Sequence, residues 1–263
     1  MAAMTRRELV GLGAAGVAAL SIQEAPAQSR ASRRCSIEAR PQAVSFDTST
    51  TAVIVVDMQN DFGSKGGMMD RMGIDIAGIQ KAVAPTAAVL DAARAADIKI
   101  IYLKMAFLPD LSDLGAADSV NRVGHLKAGV GQSVKAPDGS ASRILIRDTW
   151  NSDIVDPLKP HADDLVVYKT RFSGFYRTDL DDRLRALGIR HLIITGCTTS
   201  VCVESTVRDA MFRDYLCVLL ADCMSEPVGD NLPRSNHEAS LLLTEMRFGG
   251  VSDSKQFATA LRA

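Results

Sequence analysis

The chain has 263 residues, 47% hydrophobic and 23% charged, with a formal net charge of -1 from 30 Lys and Arg against 31 Asp and Glu. That length and balance fit one α/β domain of about 200–220 residues plus a tail, long enough to bury a sizeable core. No Lys/Arg cluster interleaves with aromatics, so nucleic-acid binding has no electrostatic footprint here.

The N-terminal segment stands apart. Arg6-Arg7 precede an apolar run, Leu9 to Ile22, and Ala25-Pro26-Ala27 supplies small residues for cleavage. This pattern predicts a twin-arginine export signal over residues 1–27, cleaved near Ala27, and a periplasmic or secreted product. The run is short for a membrane span, so no stable membrane anchor is expected after cleavage. Residues 28–45 read as a polar linker and 46–263 as the folded domain.

From there, short β-branched runs alternate with helical periodicity. Strands are expected at Ala52–Val56, Ile98–Leu103, Leu165–Tyr168, Leu192–Thr195 and Leu216–Ala221, with a weak sixth near Val251. Each is nearly continuous in apolar residues, as in strands covered on both faces. Between the first two, Ile79, Val83, Ala87 and Leu90 line one helix face. A later helix carries Leu180, Leu184 and Leu187, opens on a capping-box-like Thr178-Asp179-Leu180-Asp181, and is followed by Gly188. Strand–helix alternation implies a three-layer αβα fold around a mostly parallel sheet of about six strands. Residues 106–148 break the pattern, being rich in Gly, Asp and Ser. A connection that long reads either as a cap over a site or as an ordinary surface excursion.

Three strand ends carry polar residues. VIVVDMQNDF delivers Asp57, LVVYKTRFSGF delivers Lys169, and ITGCTTSVCVESTVRDA places Cys202 on a hydroxyl-rich turn before an amphipathic helix. In parallel sheets ligands gather at the carboxyl ends of strands, so an Asp, a Lys and a Cys there suggest one shared site. Unpaired N–H groups at a helix start favour a thiolate and can hold an oxyanion. Thr199 or Ser200 offers a cap for that helix. Five cysteines, three of them in or beside apolar strands, do not read as a disulfide framework.

These three ordered motifs resemble the isochorismatase-like cysteine hydrolases, over roughly Thr51 to Val251. KTRFSGFYRTDL, GIRHLIITG and CVESTVRDA are most similar to the ureidoacrylate-cleaving branch. DMQNDFGSKGGMMDRMGIDI and DLSDL are more similar to the biuret-cleaving branch. The resemblance implies a catalytic triad of Asp57, Lys169 and Cys202. It also implies a cis peptide at Cys197–Thr198, with the N–H groups of Thr198 and Cys202 as oxyanion donors. Phe62 matches a pocket-lining position of the family, and Phe107 and Phe172 are candidate aromatic walls. Asn60 and Gln59 read either as polar anchors or as loop caps.

Nicotinamidases of this family bind metal through an Asp-x-His pattern after the second strand, whereas KMAFLPDLSDL holds no His. His125, His161, His191 and His237 form no close ligand cluster in the sequence. The expectation is therefore a metal-free, cofactor-free cysteine amidohydrolase acting on a small ureide or carbamoyl compound, assembled as a homo-oligomer, dimer or tetramer. The alternatives are a hydrolase of another small amide on the same fold, or a non-catalytic periplasmic binding protein on this scaffold.

Overall fold

The computed structural model describes residues 32–263. The expected export segment 1–27, and the start of the expected linker, lie outside the described residues. The strands are β1 (Arg34–Ile37), β2 (Val44–Asp47), β3 (Thr51–Val56), β4 (Lys99–Met105), β5 (Ser133–Lys135), β6 (Ala141–Arg143), β7 (Leu165–Lys169), β8 (His191–Cys197), β9 (Leu216–Ser225) and β10 (Gly249–Ser252). The helices are α1 (Asn60–Gly63), α2 (Met68–Arg71), α3 (Ala77–Ala95), α4 (Val120–Lys127), α5 (Leu180–Ala186), α6 (Glu204–Met211), α7 (Asn236–Arg247) and α8 (Ser254–Ala260).

Six strands form one sheet in the order β10-β9-β8-β3-β4-β7, every neighbouring pair parallel. The expected αβα architecture is present, with all six expected strands in place. Why the strands are apolar throughout is visible in β3. Val53 and Val55 pack into one core with α3, α8 and the β1–β2 pair. Ala52, Ile54 and Val56 pack into the other, with residues of α5, α6 and α7. Both faces are covered, so alternation with polar residues disappears.

The chain leaves β3 in one direction, to β4 and β7, and then returns to the other side of β3 with β8. This reversal opens a crevice at the carboxyl ends of β3 and β8, where such sheets bind ligands. Gly196 lets the two strands meet there. Its φ is +117°, and a Cβ on it would lie 2.0 Å from the carbonyl oxygen of Val56. Only glycine fits both the backbone conformation and the close approach.

Three local expectations are corrected. The described part of the linker is not simply polar connection. β1 pairs antiparallel with β2, and Cys35 and Ile37 are buried against the core. Sealing one end of the α3–α8 layer gives these residues an apolar contact that their short stretch of sequence does not advertise. The helix face on α3 is also rotated. Ile79, Ala82, Thr86, Val89, Leu90 and Ala93 are buried, while Val83 and Ala87 are only partly so.

The capping box before α5 does not form either. Thr178 bonds the Gly174 carbonyl, and the Asp179 carboxylate pairs with Arg183 at 2.7 Å. A full capping box occurs instead at α7, between Ser235 and Glu238.

Residues 106–148 are an arm closed on itself. Phe107 donates to the Leu145 carbonyl at 2.8 Å, and Arg147 donates to the Phe107 carbonyl at 3.0 Å. The arm carries α4 and the β5–β6 hairpin. Asp61 fastens it to the body. Its carboxylate accepts from the N–H of Leu145 at 2.7 Å, the N–H of Met68 at 2.8 Å and the Asn151 amide. Burial outweighs these bonds and lifts the Asp61 carboxyl to about 6. Among the described residues, no helix is long and apolar enough to cross a membrane.

Candidate active site

Asp57 follows β3 with a φ of +51°, a conformation that Asp tolerates better than most residues. Its N–H donates to Leu103 at 2.9 Å and its Oδ1 accepts from Met105 at 3.0 Å. One carboxylate oxygen is thereby tied to β4. The other, Oδ2, stands 2.7 Å from Lys169 Nζ. Lys169 ends β7, two strands from β3, and its side chain reaches back over Met105 Sδ at 3.6 Å. The same ammonium lies 3.4 Å from Cys202 Sγ. The structure thus brings the three expected residues into one buried cluster.

Burial sets the protonation states. Loss of solvent raises the Asp57 carboxyl above the ordinary carboxylate range, although Lys169 and the bond from Met105 oppose this. Burial also pushes the Cys202 thiol well above the usual thiol range, with Lys169 pulling it down and Asp57 pushing it further up. For Lys169 burial acts to remove the proton, yet the Asp57 and Cys202 charges outweigh it and hold the ammonium above the ordinary lysine value. The three groups thus form a buried carboxylate–ammonium contact of 2.7 Å with the thiol sulfur 3.4 Å from the same ammonium.

Cys202 lies in a turn of π-helix, Thr199–Val203, that leads into α6. The expected caps are placed otherwise. Thr199 Oγ1 meets His237 Nδ1 at 2.8 Å. Ser200 is not a cap but is itself held, its N–H and hydroxyl both donating to Glu226 Oε2 at 3.0 and 2.6 Å. A buried carboxylate just past β9 thus ties down the turn, because the bulged register of β9 against β8 carries Ser225 alongside Cys197. The Cys197–Thr198 peptide is cis. Among the described residues, the N–H groups of Thr198 and Cys202 donate to no acceptor outside this turn. Cys197 is buried, its thiol donating to the Asp57 carbonyl at 3.1 Å, and burial raises it well above the usual thiol range.

Above Cys202 opens a cavity of about 650 Å³. Phe62, Met68, Met69 and Phe172 form much of its apolar wall, and Cys197, Thr198 and Cys202 its base. α4 supplies Asn121 and His125, so the arm covers the site.

Matched against known proteins, residues 51–256 fit the isochorismatase domain. The chain belongs to the isochorismatase family. It is similar to ureidoacrylate amidohydrolase RutB of Serratia proteamaculans, 39% identical over 86% of this chain and 89% of that protein. It is 38% identical to the RutB protein of Yersinia enterocolitica, over 86% and 95% of the two chains. Among solved structures, a cysteine hydrolase from Pseudomonas syringae pv. phaseolicola aligns with a TM-score of 0.69 and 30% identity, covering 82% of this chain and 94% of that one. N-carbamoylsarcosine amidase from Thermoplasma acidophilum shares the fold, with a TM-score of 0.57 at 24% identity, covering 78% and 96%.

Not every expected contact of this isochorismatase-family hydrolase reaches the cavity. Phe62 and Phe172 line it, whereas Asn60 and Phe107 do not. Asn60 bonds the Trp150 carbonyl at 2.8 Å and accepts from Ser64 at 2.8 Å. Gln59 bonds the carbonyls of Met105 and Ser152 at 3.0 and 2.9 Å. Both close the base of the arm, because buried backbone groups there need partners. Phe107 is fully buried beneath His125, edge to face at 5.1 Å. The aromatic that it was expected to present is replaced at the wall by that imidazole.

His125, Asn121, Arg171 and Glu226 were not singled out from sequence. His125 and Asn121 stand four apart on one helix face, a signal present in VNRVGHLK. Arg171 sat inside a motif already quoted. For Glu226 the sequence holds no signal. Among the described residues, no group of three or more His, Cys, Asp or Glu is arranged to hold a metal ion.

Proposed function

We propose that this protein is a cysteine amidohydrolase that cleaves a C–N bond of a small ureide or carbamoyl compound through a covalent intermediate on Cys202. One observation carries the reading. Lys169 Nζ lies 2.7 Å from Asp57 and 3.4 Å from Cys202 Sγ at the base of a cavity sized for a small molecule. The relation to ureidoacrylate amidohydrolases supports the substrate class.

Asp57 takes the proton from the Cys202 thiol as the sulfur attacks the substrate carbonyl. Lys169 stabilises the developing thiolate charge. The tetrahedral oxyanion rests on the N–H groups of Thr198 and Cys202, each such donor typically contributing about 3–4 kcal/mol to the transition state. Asp57 returns its proton to the leaving nitrogen, which departs as ammonia or an amine. Water, giving a proton to Asp57, then attacks the thioester or thiocarbamate and restores the thiol. Splitting one hard amide cleavage into two steps is the gain from the nucleophile. No step calls for a metal, and turnover is expected to survive prolonged chelation.

The test is ammonia release from the purified protein across biuret, ureido acids, N-carbamoyl amino acids and nicotinamide. Mass spectrometry of a quenched reaction then looks for an acyl or carbamoyl adduct on Cys202. A ureide is expected to exceed nicotinamide by at least about 100-fold in kcat/KM, roughly 2.7 kcal/mol. Comparable turnover of nicotinamide would overturn the ureide assignment and favour simple amide hydrolysis. We also propose twin-arginine export, tested by replacing Arg6 and Arg7 with lysine and following retention in the cytoplasm. Homo-oligomer formation is proposed as well, with light scattering as its test.

A further inference from the structure

Arg171 is a cation on the cavity wall whose charge the protein leaves unmatched. Lys169 is balanced by Asp57 at 2.7 Å, whereas Arg171 takes part in no ion pair among the described residues. Neither the carboxylate nor the imidazole that also lines this cavity neutralises it. Glu226 is occupied by Ser200 and by the N–H of Val228 at 3.1 Å. His125 is half-buried, with Nδ1 2.6 Å from the Asn121 carbonyl. Burial, helped by Lys169 and Arg171, holds it below the ordinary histidine value.

The guanidinium is held in a definite pose. Nη1 donates to the carbonyls of Thr170 and Asp113, at 2.6 and 3.4 Å. The ring of Tyr176 lies 5.5 Å from its central carbon. Nη2 lies over Gly115, where a Cβ would stand 2.6 Å from it, so the arm leaves room for this group. Nη1 is thus used up on backbone oxygens. Nε and Nη2 donate to no acceptor among the described residues. Those two atoms form one edge of the guanidinium fork, the geometry that takes a carboxylate by two parallel bonds.

Its place relative to the nucleophile is fixed through the backbone. Lys169 Nζ lies 3.4 Å from the Arg171 carbonyl oxygen and 3.4 Å from Cys202 Sγ. The Arg171 backbone and Cys202 Sγ thus flank one ammonium, and both residues line the same cavity.

We propose that Arg171 anchors a substrate carboxylate. The preferred ureides are then ureido acids, in which a short spacer joins the carbamoyl group to a carboxylate, rather than neutral ureides such as biuret. This rests on the ureide reading above and narrows it. A salt link in a half-open cavity contributes through orientation as well as charge, since the planar fork fixes which end of the substrate faces Cys202.

The experiment compares 3-ureidopropionate with its carboxamide, which has the same shape without the charge. Wild-type enzyme is expected to favour the carboxylate by at least about 30-fold in kcat/KM, mostly through KM. Arg171→Met is expected to bring that ratio below about 3, and Arg171→Lys to leave it in between. Titration calorimetry of Cys202→Ala with the same pair is expected to show the same preference in binding, without turnover. A wild-type ratio near one in both kinetics and binding would overturn the proposal. So would a ratio unchanged in Arg171→Met. The wild-type comparison decides even if a variant fails to fold. Turnover of the carboxamide equal to that of the acid would sink the anchor and leave the ureide reading standing. Failure of every ureide in the ammonia assay would instead sink the parent reading.

Discussion

The ends of β3, β7 and β8 and the arm over residues 106–148 face the same cavity but are built differently. Asp57, Lys169 and Cys202 are buried, the first two at the ends of β3 and β7 and the third in the π-helical turn that follows β8. The arm presents α4, none of whose residues is buried, and Val120 on it is 89% exposed. Phe172, opposite, is 43% exposed and meets His125 at 5.9 Å. On the proposed function, chemistry rests on the central sheet and selection on a peripheral element. Reacting groups tolerate little misplacement, whereas a wall that sorts substrates changes affinity by modest steps.

The sharpest way to break this comparison is at the nucleophile. Cys202→Ala is expected to lower kcat by at least about 10⁴-fold while the melting temperature stays within a few degrees. Cys197→Ala, at the same cavity base, should keep activity within about tenfold. If the two variants exchanged phenotypes, the assignment of the sulfur would be wrong.

Next comes the seam that holds the strand ends together. Gly196→Ala forces a Cβ against Val56 at a positive φ. It is expected to cost at least about 2 kcal/mol by denaturant titration, and activity along with it. Gly139→Ala, on the arm at φ +84° with open space around it, should cost only the backbone strain of about 1 kcal/mol and spare kcat. Equal losses would show that the arm and the sheet are one cooperative unit.

A pH profile probes the buried cluster directly. In the proposed mechanism Asp57 works as its carboxylate, and burial raises its pKa. Activity is therefore present above that raised value and lost as pH falls through it, so the acid limb should lie above about 3.9, the unperturbed aspartate value. An acid limb at or below the ordinary value would contradict the buried-base picture. The smallest effect is expected at the rim. Phe172→Ala should raise KM by roughly 3–10-fold with little change in kcat, as for a contact made equally in ground and transition states.

The two regions were also unequally legible. Strands covered on both faces announce themselves as apolar runs, and a polar residue at the end of such a run is visible without any structure. That is how Asp57, Lys169 and Cys202 were found. Short-range signals were less secure. Thr178 and Asp179 offered a capping pattern, but their side chains were taken by Gly174 and Arg183, while Ser235 and Glu238 formed the real box. Asn60 and Phe107 looked like site residues because they adjoin the motifs. They turned inward because the base of the arm needed hydrogen-bond partners and packing.

By itself the sequence determined the order of strands and helices, the parallel sheet and the three polar side chains that follow its strands, since periodicity and strand ends are local properties of the chain. Only the tertiary structure decided what surrounds them. Glu226, 24 residues after Cys202, holds the Cys202 turn through Ser200 because a bulge in β9 carries it there. The Arg171 guanidinium fits against Gly115, on a separate arm, because no side chain stands there. Such pairings depend on distances between segments far apart in the chain, and no local pattern encodes them.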